Sequence, residues 1–288
     1  MVKRLLKANK DRLQRLLARM QLASLRSAVR EQNLDRLSKR LVEIVPDLTS
    51  QYTTFRVDND YLQVKIRSLH AFQIDLVIKA INYIPPKESI YVVDIGDSSG
   101  THLIYLNAIL KNDVRFASSN LKFLSVNLDP IAVDKIASKG IKAILCRAED
   151  IYENYKIKSD LIFSFEMLEH LYDPVSFLSV LSEKSVCEYF VLTVPYLSQS
   201  RVGLHHIRHG QNRVVYPENT HIFELSPTDW KLIFQHAGWK VVNESIYRQY
   251  PLWSVWMLLQ PIWKKLDFEG FYGVILKRDR TWPELYRG

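Results

Sequence analysis

From Ile90 onward, short runs of β-branched and aromatic residues alternate with stretches of helical period, and few folds accommodate that alternation. Strands are expected over 90–95, 122–128, 141–145, 159–164 and 188–194, with helices over 100–111, 131–138 and 174–184 between them. Runs such as Ile90 to Ile95 and Leu161 to Phe165 are apolar almost throughout, as a strand is when helices cover both faces of a parallel sheet. A further helix ends near Ala237 and Gly238, and strands at Trp239 to Tyr247 and Gly270 to Lys277 complete the pattern. The expected fold class is α/β: a doubly wound, mostly parallel sheet of seven strands.

Ahead of the sheet lies a helical N-terminal extension. Leu6, Leu13 and Met20 recur every seven residues, and Leu34, Leu37, Leu41 and Ile44 at threes and fours, which gives one apolar stripe ending before Pro46. A second helix is expected from Asp58 to Ile84, stopped by Pro85 and Pro86. The chain thus divides into a basic helical arm over 1–57 and an α/β domain over 58–288. That domain carries a polar, histidine-bearing loop over 196–226 and a Trp-rich insert over 251–268.

Charge separates these parts. Of 39 Lys/Arg and 31 Asp/Glu, residues 1–45 hold 12 and 4, so the rest of the chain carries 27 of each sign and is neutral. Only the arm is equipped to meet an anionic surface. No aromatic residue precedes Tyr52, which argues against nucleic acid, since single-strand binders use stacking platforms. The arm therefore reads as a lid or a homo-oligomer contact with a solvated basic face, or as a peripheral membrane contact. Trp253, Trp256 and Trp263, with Met257 to Leu259, offer a second such surface, which suits core or dimer packing, an apolar acceptor or a membrane. Charges interrupt every N-terminal apolar run, so no signal peptide is read. Cys146 and Cys187 form neither a disulfide framework nor a metal pair, and a cytoplasmic location is expected.

The chemistry concentrates in the turn Val92, Val93, Asp94, Ile95, Gly96, Asp97, Ser98, Ser99, Gly100, which closes the first strand and opens a helix. Glycines there let a backbone approach a ligand closely. A dinucleotide fingerprint would need glycine at Ser98 and another further on. Two carboxylates, Asp94 and Asp97, would also repel a pyrophosphate, and they suit a ligand with a positive end.

This segment resembles the first motif of class I S-adenosylmethionine-dependent methyltransferases, with Ser98 in place of the middle glycine. The later motifs follow in order. The resemblance implies a Rossmann-like fold and S-adenosyl-L-methionine as cofactor, held by Asp94, Gly96, Asp97, Ser98 and Gly100. It places Asp129, at the end of the second strand, against the ribose hydroxyls, although an Asp before Pro130 also suits a helix cap. Ala148 and Glu149 resemble the adenine-side acidic turn. Asp160 to Pro174, with Glu166, Met167, Leu168, Glu169 and His170 at its centre, closely resembles the fourth-strand motif of quinone-biosynthesis-type and related small-molecule enzymes. By that likeness Ser164 and Glu166 line the donor pocket, with Glu169 and His170 just beyond.

The implied function is methyl transfer to a hydroxyl of a small polar or glycan-type acceptor. A base is then required, and His205, His206, His209 and His221 cluster in the loop above the donor site. His206 and His209 are the first candidates and His170 the next; no metal is expected, because the histidine spacing matches no zinc pattern. The competing reading is a catalytically inactive module, with Ser98 as the mark of decay and the arm recruiting a partner. An RNA enzyme ranks lower, since the fourth strand lacks an Asn/Asp-Pro-Pro-aromatic signature, and a nicotinamide dehydrogenase lower still.

Overall fold

The structure, a computed structural model, describes residues 19–53, 55–116, 118–155, 157–185, 187–203, 220–250, 258 and 270–286. Leu6, Leu13, His205, His206, His209 and the tryptophans of the 251–268 insert lie outside the described residues.

Seven strands form one sheet: β1 (Ser89–Ile95), β2 (Asn120–Asn127), β3 (Lys142–Leu145), β4 (Leu161–Phe165), β5 (Tyr189–Pro195), β8 (Trp239–Tyr247) and β9 (Phe271–Arg278). Their order is β3-β2-β1-β4-β5-β9-β8. The first five are parallel, and β9 runs antiparallel between β5 and β8. A two-stranded ribbon, β6 (Arg201–Val202) with β7 (Phe223–Glu224), stands apart from the sheet within the segment read as loop. Two-residue strands carry no periodicity, so nothing in the sequence announced them.

The helices are α1 (residues 19–31), α2 (Asp35–Ile44), α3 (Asp60–Ile81), α4 (Thr101–Leu110), α5 (Pro130–Ser138), α6 (Ile151–Asn154), α7 (Pro174–Lys184), α8 (Pro227–His236) and α9 (Thr281–Leu285). Among the described residues, no helix is long and apolar enough to cross a membrane. Three helices start alike: Asp129, Asp173 and Ser226 each accept a backbone N–H two or three residues on, and a proline follows at the first helical position. Proline has no N–H to lose there and its φ is already helical.

Successive side chains of a strand point to opposite faces, so a strand between two helical layers must be apolar at every position. In β1, Ile90 and Val92 join a core with Phe72 of α3 and Leu106 of α4, while Val93 and Ile95 join a second core with Phe177 of α7 and Trp230 of α8. The arm contributes to the first core: Val29, Leu34 and Leu41 are buried with α3 and α4. Its apolar stripe is broken between α1 and α2, where Asn33 takes a positive φ of 59°. Asparagine tolerates that conformation better than other side chains do.

Candidate functional site

The site lies at the carboxyl ends of β1, β2 and β4, where an open α/β sheet leaves a crevice. Gly96 follows β1 with φ +100°, and Gly100 opens α4 with φ +71°. A Cβ at Gly96 would stand 3.2 Å from Met167 Cγ, and one at Gly100 only 2.8 Å from Ile141 Cδ1. Both positions favour glycine because of their positive φ, and a Cβ at either would in addition push a neighbouring side chain aside. Ser98 is different: its backbone is outside the left-handed region, so serine is accepted where the motif has glycine.

The two carboxylates of the turn behave unlike one another. Asp97 Oδ1 accepts from Ser99 N at 3.1 Å, and Oδ2 from His102 N at 3.2 Å. It thus caps the start of α4, with the His102 ring 3.4 Å away. Burial opposes its charge, but His102 and the Ser99 N–H outweigh burial and hold its carboxyl below the usual range. Asp94 is 1% exposed, and its Oδ2 has no hydrogen-bond partner, with His102 Nδ1 3.8 Å away. Burial, reinforced by the Asp97 charge, raises its carboxyl well above the usual range. Of the two carboxyls, burial disfavours the charge on Asp94, while Asp97 is bonded within the loop itself.

At the end of β2 the side chain that reaches the turn is Asn127. Its Nδ2 donates to Asp97 O at 2.9 Å, and its Oδ1 accepts from Asp129 N at 2.8 Å. Asp129 accepts from Ile131 N at 2.9 Å as the cap of α5. Ala148 and Glu149 form a short 3-10 turn after β3, where Glu149 meets Arg147 at 3.3 Å. Ser164, read as pocket lining, is 2% exposed and donates to Ile95 O at 2.8 Å, so it braces the turn from within the sheet.

Beyond β4 the backbone departs from ordinary geometry. Glu166 has φ +52°, rare for a residue with a Cβ and frequent at functional sites. Its Oε1 is buried without a partner, and burial pushes its carboxyl up to about 8. Glu169 is 0% exposed, and neither of its oxygens has a hydrogen-bond partner. Burial and the Glu166 charge raise its carboxyl well above the usual range. The β6–β7 ribbon covers this end through Ile222 N, which donates to Glu169 O at 2.8 Å.

Two histidines flank these acids. His170 Nδ1 donates to Thr220 O at 3.0 Å, and His221 Nδ1 to Glu224 Oε1 at 2.9 Å. In a neutral ring bonded this way the lone pair is on Nε2. The rings meet edge to face, 4.8 Å between centroids. Glu224 is also bonded by Arg201; burial opposes its charge, but His221 and Arg201 hold its carboxyl below the usual range. Glu169, His170 and His221 bring one ligand-type atom each within 4.8 Å of one another, a convergence that sequence spacing concealed because His221 arrives from the ribbon. Asp94, Asp97 and His102 converge equally closely.

A seven-stranded sheet in this order, with one antiparallel strand and a glycine turn closing β1, defines a class I methyltransferase-type α/β protein. The family model described as "Methyltransferase domain" matches residues 69–244, and the chain belongs to that family. No curated protein matches the chain. Among solved structures, it is similar to a candidate sarcosine dimethylglycine methyltransferase from Galdieria sulphuraria, at 10% identity over 76% of this chain and 88% of that one, with a TM-score of 0.52. It is also similar to the O-methyltransferase of a trans-AT PKS multienzyme from Brevibacillus brevis, solved with S-adenosyl-L-homocysteine, at 12% identity over 78% and 76%, with a TM-score of 0.51. At such identities the likeness is one of fold.

Proposed function

We propose that this chain transfers the methyl group of S-adenosylmethionine to a hydroxyl of a small polar or sugar-type acceptor. The observation that carries the reading is the juxtaposition, at one end of the sheet, of a glycine cradle and the carboxyls of Glu166 and Glu169, with buried oxygens that lack hydrogen-bond partners, beside His170 and His221, each bonded through Nδ1. The cradle fits the donor. Gly96 and Gly100 leave room that a Cβ would fill, and the buried Asp94 Oδ2 beside them has no hydrogen-bond partner. Gly96, Ser98 and Gly100 would hold the amino-acid end and Asn127 the ribose, with Ala148 and Glu149 on the adenine side. Bound there, the donor supplies an electrophilic methyl group.

The other end of the site prepares the acceptor. A neutral hydroxyl is a weak nucleophile, and a base contributes about 10²- to 10⁴-fold by removing its proton. His221 receives that proton at Nε2, and ionised Glu224 stabilises the imidazolium through Nδ1. His170 lies beside it, and the raised carboxyls of Glu166 and Glu169 serve as hydrogen-bond donors to further acceptor hydroxyls. The likeness of Asp160 to Pro174 to small-molecule enzymes supports an acceptor of that size, and supports the quinone-biosynthesis-like branch in particular.

Two measurements test this reading. Calorimetry with S-adenosyl-L-homocysteine should show binding, and radiolabelled donor incubated with fractionated cell extract should label a small molecule. A chain that binds no S-adenosyl-L-homocysteine is not this enzyme; one that binds it but labels nothing is the inactive module.

A further inference from the structure

We propose that Gln51 is a donor-positioning residue, through which the arm sets the shape of the β1 turn. The inference rests on the donor reading above. Gln51 lies between α2 and α3, 46 residues before the turn, yet it is 4% exposed and its amide is inserted among the turn's side chains. Its Oε1 accepts from Ser99 Oγ at 2.8 Å and from Thr101 Oγ1 at 2.6 Å. Its Nε2 donates toward Asp97 Oδ1 at 3.4 Å. One side chain thus joins Asp97, Ser99 and Thr101, the polar residues that surround Gly100.

The segment bearing Gln51 is anchored from the opposite side. Lys135 of α5 donates to Ser50 O, and its Nζ lies 3.3 Å from Gln51 O. Val57 N closes the segment onto Thr49 O at 3.1 Å. The adjacent Tyr52 lies near both parts of the site: burial raises its phenol, and the charges of Asp97 and Glu166 add to that rise. Ser50 and Gln51 therefore bond to the turn, α4 and α5 together.

The physical consequence follows from satisfaction of buried groups. Ser99, Thr101 and Asp97 are all buried, and a buried hydroxyl or carboxylate without a partner disfavours the arrangement that buries it. With Gln51 removed, the Ser99 and Thr101 hydroxyls keep only their mutual bond at 2.7 Å and Asp97 only its two backbone N–H donors, so the acceptor that holds both hydroxyls is lost and the cradle is held less firmly in the form that receives the donor. Gln51 touches the turn and not the reacting atoms; its effect belongs in donor affinity, not in proton transfer.

The test titrates S-adenosyl-L-homocysteine into the full-length chain and into the full-length Gln51→Ala, Gln51→Glu and Lys135→Met variants, with unfolding temperatures measured without ligand. Gln51→Ala should weaken binding on the order of tenfold, and Gln51→Glu on the order of a hundredfold because a second carboxylate then faces Asp97. Lys135→Met should weaken it about threefold, since it frees the carbonyls of Ser50 and Gln51 without entering the core. Trypsin cleavage after the exposed Arg56 should slow on ligand binding in the wild type and not in Gln51→Ala. Equal affinity in the wild type, Gln51→Ala and Lys135→Met overturns the proposal, whatever the unfolding temperatures, because glue for the apo fold alone would move only those. If both Gln51 variants fail to fold, Lys135→Met decides by the same criterion. A wild type that does not bind the ligand overturns the donor reading and this inference with it.

Discussion

At the end of β1, the side chains of Asp97, Ser99, Thr101 and Gln51 bond to one another, and Asn127 and His102 join them. At the end of β4, Glu166 Oε1 and both carboxyl oxygens of buried Glu169 lack hydrogen-bond partners. Both regions sit on the same sheet, and both are polar inside an apolar fold. The first is bonded around Asp97 into a network that holds a backbone in one shape, although Asp94 Oδ2 and His102 Nδ1 beside it lack hydrogen-bond partners. The second is open, and buried groups without partners are where a protein expects a ligand to complete the bonding. Scaffold and chemistry are divided between the two strand ends.

The division can be broken most forcefully at Gly100. Gly100→Val places a branched side chain at φ +71° against Ile141 and should lower S-adenosyl-L-homocysteine affinity by about a hundredfold or more in calorimetry, while Glu169→Gln should retain it. Equal losses in both variants would show that the ends form a single site.

The opposite face of the comparison is probed at Glu224. Glu224→Gln removes the charge opposite His221 Nδ1 and should cut label transfer by about 10²-fold with S-adenosyl-L-homocysteine affinity unchanged. A loss of ligand affinity in this variant would tie the ribbon to the donor.

The two regions should also answer pH in opposite senses. The carboxyl of Glu166 is raised from 4.5 to about 8, so its contribution to stability is full below about 4.5 and is lost as pH rises through about 8. Asp97 is depressed, so its contribution is full above the ordinary carboxylate value and is lost as pH falls through its lowered one. Glu166→Gln should match the wild type in melting temperature at pH 5 and exceed it at pH 9 by ~2–4 °C. No widening of that gap between the two pH values would mean that Glu166 ionises freely.

The smallest effect separates Asn127 from Asp129. Asp129→Ala should cost about 1 kcal/mol as a lost helix cap and leave ligand affinity unchanged. Asn127→Ala should weaken the ligand severalfold, because it releases the Asp97 carbonyl. The reverse pattern in paired melts and titrations would return Asp129 to the ribose.

Much of the fold was legible in one dimension because its signals are local. Alternating runs located every strand of the main sheet, and the Asp-Pro and Ser-Pro pairs marked three helix starts. Glycine at positions 96 and 100 was legible for the same reason: a left-handed φ restricts residue choice at a single position. Asn127 carried a weaker signal, as the last polar residue of a strand, but Asp129 two positions on was the more conspicuous acid. Gln51 and Glu224 gave no signal, and His221 stood out only as one of four loop histidines, since their meaning depends on partners the sequence does not place together.

Sequence by itself determined the layers of this protein, the place of the glycine turn and the family, because periodicity, capping and backbone sterics act over a few residues. Tertiary structure alone decided which carboxyls have their charged form favoured and which disfavoured. Asp94 and Asp97 stand three residues apart with the same side chain, and only burial and neighbours drawn from other elements drive one up in pKa and the other down.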